Sequence, residues 1–458
     1  MSTHDTPVTL IAYSSSIMSP TKKNTPKKSS APAPKKKKDG LFQTLRGVHD
    51  ILPKDEVWWM TFMKQGMETA ELHGFHFIET PIIEPAALFE AGVGATTDIV
   101  EKEMYTWKTK GGDHIALRPE HTASLIRSYV QHHLGHFASP LKVFHYGPIF
   151  RYERPQAGRY RQFHMWDFDI IGDFDPWYDV QIILTAIAFF ETLHISGLCL
   201  KINTIGCRVC RPSYRKKLIA YYKGKQKKLC SDCVRRLTEN PLRLLDCKNE
   251  DCRKLRENAP VTLNYLCQSC NAHFKGVLEL IEESDLDYEP DPYLVRGLDY
   301  YNKTVFEIVL PTDHSFALAG GGRYDYLGEI IGTRTIPAVG VGIGMERIIE
   351  YMKEDEKRPE IKEQPTAFFV AIGCEAKKLG VCVTHRLRTA GIRTIEAIGK
   401  KSMGAQMKAA DKANARLALI IGQRECFEGT VIIRDMKTGV QETVVAENIV
   451  QETKKRLK

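Results

Sequence analysis

The 458-residue chain has no uninterrupted apolar run long enough to cross a bilayer, so a membrane-spanning helix is not expected. A secretory signal is not expected either, because the apolar stretch "VTLIAY" is short and no basic residue precedes it. Glycine-rich segments occur, but none has the spacing of a P-loop or a dinucleotide fingerprint. No Ser–His–Asp triad and no metalloprotease histidine spacing is found, which removes two large classes of hydrolase. Residues 1–40 contain no arginine and no amphipathic pattern, which argues against an organelle-targeting peptide. No internal repeat is visible.

What is present has the balance of a soluble globular protein, with 43% hydrophobic and 26% charged residues. The length is too great for one ordinary core and predicts two or three domains. Charge is unevenly spread. Residues 1–40 hold eight lysines and two aspartates, +6 of the net +9, which leaves about +3 for the rest. The segment "TKKNTPKKSSAPAPKKKKDG" cannot bury enough to fold, so residues 1–40 read as a disordered Lys/Pro-rich tail. Two readings of it stand: a polycation that raises affinity for RNA or anionic surfaces, or a solvated leader ahead of a second start at Met18. Of the twelve cysteines, eight fall between Cys207 and Cys270. A chain of this size needs no disulfide staples, so a reducing, cytoplasmic compartment is expected.

The folded body is expected to begin near "LFQTLRGVHDILP", with an amphipathic helix from about Glu56 to His73. "GFHFIETPIIEP" reads as a strand, and "IALRPEHTASLIRSYVQHHL" as a strand running into a helix. "LKVFHYGPIFRYERPQAGRYRQFHMWDFDIIG" predicts a long hairpin with Pro155 and Gly158 at its tip. Residues near 205–285 are charged, helical in pattern and cysteine-rich. "KEDEKRPEIKEQ" is a charged linker. After it, "TAFFVAIG", "RTIEAI" and "LALIIG" alternate with helical segments, which predicts a small α/β domain with a largely parallel sheet.

Arginine carries the chemical signal. Arg151, Arg154, Arg159 and Arg161 crowd one hairpin, where guanidinium groups repel one another unless anions share them. In "LVRGLDYYNKTVFEI", Arg296 stands before Gly297 and two tyrosines with no structural need to be there. "GGGRYD" (320–325) would let a ligand approach the backbone, although a tight turn explains it more simply. These residues point to a phosphate-handling enzyme or an RNA binder. The cysteines fall as Cys207-x2-Cys210, Cys230-x2-Cys233, Cys247-x4-Cys252 and Cys267-x2-Cys270, a spacing that suits one or two structural Zn2+ ions. Reduced, partly buried thiols are the alternative. Cys199, Cys374, Cys382 and Cys426 are isolated and read as ordinary residues.

Taken together these segments resemble a class II aminoacyl-tRNA synthetase, and within that class the histidyl-tRNA synthetases. "GFHFIETPIIEP" resembles motif 1 of the class, "FRYERPQAGRYRQFH" motif 2 and "PAVGVGIGMERI" motif 3. "LVRGLDYYNKTVFEI" and "ALAGGGRYDYL" resemble the two histidine signatures, and "RGVHDILP" the opening of the catalytic domain. "NPLRLLDCKNEDC" resembles part of the insertion domain and "GKKSMGAQMKAADKANARLALIIGQRE" the anticodon-binding domain. The resemblance implies an α+β catalytic domain built on an antiparallel sheet with helices. To this are added a mainly helical Cys-rich insertion and a C-terminal α/β anticodon-binding domain. The expected limits are 41–204 and 289–352 for the catalytic domain, 205–288 for the insertion, 353–365 for a linker and 366–458 for the last domain.

The resemblance also implies roles. Arg296 would contact the histidine carboxylate and the ATP α-phosphate, with Arg151 on the phosphate from another side. Arg347 and Phe163 would sandwich adenine, with Glu153 near its edge. Tyr300, Tyr301 and Tyr324 would line the histidine pocket, Asp169 would bind the imidazole, and Glu120 and Thr122 would hold the ammonium. Arg154, Gln156 and Arg159 would meet the tRNA acceptor end. L-histidine, ATP with Mg2+ and tRNA(His) are thus the implied ligands, and a homodimer the implied assembly. Two positions depart from the pattern. Met165 stands where the family usually has glutamine, which implies an altered amino-group contact, and His121 stands where many bacterial members have glycine. The rival expectation is a synthetase-like regulatory subunit that binds histidine without catalysis. Retention of Arg151, Arg296, Arg347 and residues 366–458 favours the enzyme.

Overall fold

The computed structural model describes residues 42–156, 158–310, 313–354, 366–400 and 402–457. The Lys-rich tail and most of the charged linker therefore lie outside the described residues.

The chain first lays down β1 (His76–Phe77) and a small sheet of β2 (Ile83–Pro85), β3 (Thr106–Lys108) and β4 (His114–Leu117), ordered β2-β4-β3. The long hairpin follows as β5 (Leu141–Phe150) and β6 (Gln162–Ile171), paired antiparallel from Leu141↔Ile171 to Phe150↔Gln162. β7 (Cys199–Thr204), β8 (Tyr288–Pro290), β9 (Asn302–Leu310), β10 (Asp313–Arg323) and β11 (Ala338–Gly344) complete an eight-stranded sheet ordered β1-β5-β6-β11-β10-β9-β7-β8. Its interior pairs are antiparallel, and only the outer pairs β1/β5 and β7/β8 are parallel.

Alternation along the strands decides which face is the core. Trp166, Phe168 and Ile170 of β6 and Val339, Val341 and Ile343 of β11 are buried together with Phe62 and Phe189. Those last two come from the helices Glu56–Leu72 and Pro176–Thr192, which cover this face. The intervening residues of the same strands, Asp167 and Asp169 against Gly342 and Gly340, turn to the opposite face. The site is built there.

"GGGRYD" is not a tight turn. Gly320, Gly321 and Gly322 are strand residues of β10, paired on one side with Gly342, Val341 and Gly340 and on the other with Glu307, Phe306 and Val305. Glycine is used because neighbouring groups take the space that a Cβ would fill, not because the chain reverses. The strand ends on Arg323, fully buried, whose guanidinium donates to Asp179 Oδ2 at 2.7 Å and Asp325 Oδ1 at 3.2 Å. It also donates to the carbonyls of Asp173 and Asp175 at 3.0 and 2.8 Å. Truncating one partner of such a buried network leaves uncompensated charge. Arg323→Ala is therefore expected to destabilise the fold by about 3–5 kcal/mol. Urea unfolding checks this, and a loss under about 1 kcal/mol would show that Asp179 finds another partner.

Between β7 and β8 lies the cysteine-rich stretch, mainly helical, with helices Arg211–Lys223, Ser231–Glu239, Glu250–Arg256 and Gln268–Glu282. The last of these buries Phe274, Val277 and Ile281 in the main core. Beyond the linker, β12 (Ala367–Ala371), β13 (Thr394–Glu396), β14 (Leu417–Ile421), β15 (Thr430–Asp435) and β16 (Gln441–Val445) form a sheet ordered β13-β12-β14-β15-β16. β12, β13 and β14 are the three expected apolar strands, and they are parallel. β15 and β16 add an antiparallel edge that was not expected. Among the described residues no helix is long and apolar enough to cross a membrane.

Candidate active site

The floor of the site is glycine. A Cβ on Gly340 would overlap Asp169 Oδ1, and one on Gly320 would overlap the Arg296 guanidinium. The alternating glycines of "VGVGIG" thus remove side chains from one face while the valines and isoleucine fill the core on the other. Met165 lies on this face too, its Cε beside Gly342.

Above the floor stands a wall of buried polar groups. His121 Nδ1 lies 2.5 Å from Asp167 Oδ2, and His145 Nε2 lies 3.0 Å from Asp169 Oδ2. The two imidazoles meet edge to face at 4.5 Å. Tyr324 donates its hydroxyl to Asp169 Oδ1 at 2.5 Å. Burial, followed by the neighbouring His145 charge, holds His121 well below the usual histidine range. Burial likewise pushes Asp167 up to about 8. For His145 burial opposes the charge, but the bond to Asp169 and the Asp167 carboxylate outweigh it and raise the pKa. His121 Nε2 is buried with no partner among the described residues. Asp167 and His145 were not expected from the sequence. "WDFDII" does place Asp167 two residues before Asp169 and so on the same face, which is the signal that was available.

Adjoining this wall are Glu120 of "RPEHT" and the tyrosines and arginine of "LVRGLDYYNK". Glu120 accepts the backbone N–H groups of Thr122 and Ala123 at 2.7 and 2.9 Å, at the start of the helix Thr122–Gln131. Burial raises its pKa, and those two backbone bonds oppose the rise. Tyr300 donates to Glu120 at 3.2 Å and packs its ring 4.7 Å from Tyr301 and 5.8 Å from Tyr324. Arg296 sits over the Tyr301 ring at 5.8 Å and pairs with Glu307 at 2.5 Å. Burial works against its charge, but Glu307 and then Tyr301 raise its pKa. Arg296 Nε has no partner among the described residues. A fixed guanidinium beside Tyr301 and Tyr300, the latter bonded to the Glu120 carboxylate, suits a small zwitterion.

The hairpin supplies the remaining arginines. Arg151 Nε donates to the Pro119 carbonyl at 2.8 Å and lies over the Phe163 ring at 5.4 Å. Arg347 donates to the carbonyls of Gly158 and Ala317 at 3.1 and 2.9 Å, and burial lowers its pKa. At the tip Glu153 pairs with Arg159 at 3.2 Å, and Gln156 bridges Arg159 through the backbone. Arg154 and Gln156 are exposed. The pocket residues named from the sequence therefore converge on one face, while Arg154, Gln156 and Arg159 sit at the hairpin end. Unexpected here is Arg118, buried under Gly147 and donating to the carbonyls of Thr80 and Pro148 at 2.8 and 3.0 Å.

The eight clustered thiols sort into two sets of four. Cys207, Cys210, Cys267 and Cys270 form one, and Cys230, Cys233, Cys247 and Cys252 the other, with all Sγ atoms of a set within 4.8 Å of one another. All eight are free thiols.

Residues 47–348 match the family model described as histidyl-tRNA synthetase, and residues 366–456 match an anticodon-binding domain. The histidine--tRNA ligase of Natranaerobius thermophilus is 43% identical over 403 residues, 88% of this chain and 96% of that one. The histidine--tRNA ligase of Dehalococcoides mccartyi strain 195 is 42% identical, covering 91% of this chain and all of its own. Among solved structures, apo S. aureus histidyl-tRNA synthetase superposes with a TM-score of 0.75 at 30% identity, covering 90% of this chain and 99% of that one.

Proposed function

The chain belongs to the histidyl-tRNA synthetase family, and on that premise we propose that it acts as a histidine--tRNA ligase through the pocket on the glycine floor. The reaction activates L-histidine with ATP to histidyl-adenylate, releasing pyrophosphate, and transfers the histidyl group to the 3′ end of tRNA(His), releasing AMP. The observation that carries this reading is that Arg296 and Asp169 lie directly over glycines of β10 and β11 and are joined, through Tyr300, Tyr301 and Tyr324, to Glu120.

Each group has work that its chemistry suits. The histidine carboxylate must attack an α-phosphate of like charge, and Arg296 and Arg151 screen both and stabilise the charge that develops. No protein base is needed at this step, because the carboxylate is already ionised and positioning suffices. Glu120 takes the ammonium. Asp169, oriented by His145 and Tyr324, accepts an imidazole N–H, and a ligand lacking that donor would leave buried groups unpaired. Phe163 and Arg347 bind adenine between them, with Glu153 at its edge and Mg2+ on the phosphates. Arg154, Gln156 and Arg159, at the exposed hairpin end, meet the acceptor end of the tRNA. Asp167, the partner of His121, shares the space over Gly342 with Met165, where the family pattern has glutamine.

We assign the protein to the cytoplasm on its cysteine usage, and to a homodimer on the motif 1 resemblance of residues 74–85. Charging of a tRNA(His) transcript with labelled histidine tests the function. Accumulation of histidyl-tRNA supports the reading. Histidine binding without charging or adenylate formation would instead indicate the regulatory alternative, which the relatives do not favour.

A further inference from the structure

We propose that the cysteine-rich insertion carries two separate tetrathiolate Zn2+ sites and that, once stapled by them, it grips the Arg296–Tyr301 loop from behind and sets histidine affinity. The second half of this proposal rests on the ligase reading above.

The spacing of the sulfurs points to metal. A tetrahedral Zn2+ with Zn–S near 2.3 Å places its sulfurs about 3.8 Å apart. Sγ of Cys207 lies 3.7 Å from Cys210 and 3.8 Å from Cys267, and Sγ of Cys230 lies 3.7 Å from Cys247. These separations fit tetrahedral edges and are far too long for disulfide bonds. Backbone amides also point at the sulfurs. Val209 N–H donates to Cys207 at 3.3 Å, Cys267 N–H to Cys210 at 3.1 Å and Cys230 N–H to Cys252 at 3.3 Å. Such donors stabilise thiolate charge and orient the ligands. Four soft ligands in closed tetrahedral array favour zinc over magnesium or calcium and leave no open position for catalysis.

What the two sites hold together is specific. The first joins the two ends of the insertion, because Cys207 and Cys210 follow β7 while Cys267 and Cys270 open the helix Gln268–Glu282. Arg211, next to Cys210, donates to the carbonyl of Tyr301 and, at 3.4 Å, to that of Ile205. The second site closes the segment between Cys233 and Cys247. That segment carries Arg243, which donates to the carbonyl of Arg296 at 3.2 Å, and Asn240, which donates to Asp299 Oδ1 at 2.7 Å. Arg236 on the same segment reaches Asp98 at 2.6 Å. Three contacts from two stapled loops thus hold the backbone carbonyls of Arg296 and Tyr301 and the carboxylate of Asp299. The side chains of Arg296, Tyr300 and Tyr301 face the pocket, so the insertion acts on histidine without touching it. Arg211 and Arg243 are positioning residues.

Elemental analysis of the full chain, purified without chelator, together with histidine and ATP titrations, tests both halves. Two zinc ions per chain are expected. Arg211→Gln and Arg243→Gln should each keep both ions and weaken histidine, by calorimetric Kd and by KM, about tenfold, since one charged hydrogen bond to the loop is lost. KM for ATP should rise far less, because Arg296 is the only residue of this loop assigned to the α-phosphate, which Arg151 also holds. Fewer than two ions, or iron in place of zinc, overturns the metal assignment. Full zinc with unchanged histidine affinity in both variants overturns the grip on the loop, as does an equal loss for ATP. Absence of histidine-dependent adenylate formation in the unsubstituted chain would count against the ligase reading alone, because zinc content and calorimetric histidine affinity are read without turnover.

Discussion

Arg296→Ala is expected to lower kcat/KM for histidine activation by about 10³-fold, the scale seen when a preorganised donor to developing charge is removed. Arg296 is held between the Tyr301 ring and Glu307, over the bare backbone of Gly320, so its position is fixed before substrate arrives. A guanidinium already in place costs no reorganisation when negative charge accumulates between carboxylate and phosphate. Arg296→Lys should recover little of the loss. An ammonium cannot present two parallel donors, nor stack on Tyr301 as the planar group does. Steady-state pyrophosphate exchange measures the effect, with circular dichroism to establish that the variant is folded. A fall of less than about tenfold would place the catalytic charge elsewhere, Arg151 being the first alternative.

The second large effect is expected at Asp169. Its carboxylate accepts from His145 Nε2 at 3.0 Å and from the Tyr324 hydroxyl at 2.5 Å, and both partners are buried. Asp169→Asn keeps the size but replaces an acceptor with a donor and removes the charge facing the imidazole. Truncating a buried charged hydrogen bond of this kind costs about 2–5 kcal/mol. KM for histidine should therefore rise about 100-fold, while KM for ATP stays near that of the unsubstituted chain. Equal increases for the two substrates would mean that Asp169 supports the sheet and does not read the imidazole.

How much of this could be read from the sequence differs by element. The hairpin of β5 and β6 was legible because strand propensity, Pro155 and Gly158 agree, and "TAFFVAIG", "RTIEAI" and "LALIIG" each combine a short apolar run with flanking breakers. "GGGRYD" misled because the same three glycines suit a turn or a strand whose neighbours leave no room for a Cβ, and only the pairing partners distinguish these. Asp167 and His145 were missed for a related reason: their meeting depends on the register His145↔Asp167 across two strands. The cysteine spacings identified pairs of thiols, but not which pair meets which. Cys207 and Cys210 join Cys267 and Cys270 because β7 and the helix Gln268–Glu282 bring the ends of the insertion together. Arg211 and Arg243 gave no sequence signal, since each acts on a backbone carbonyl far along the chain.

The most direct test of the account is ATP–pyrophosphate exchange by the purified chain, run with each amino acid in turn. The account predicts exchange driven by histidine alone, and hence a working pocket with Met165 in place of the usual glutamine. No exchange with any amino acid, in a folded protein that still binds histidine, would contradict it and leave a histidine-binding protein without ligase activity.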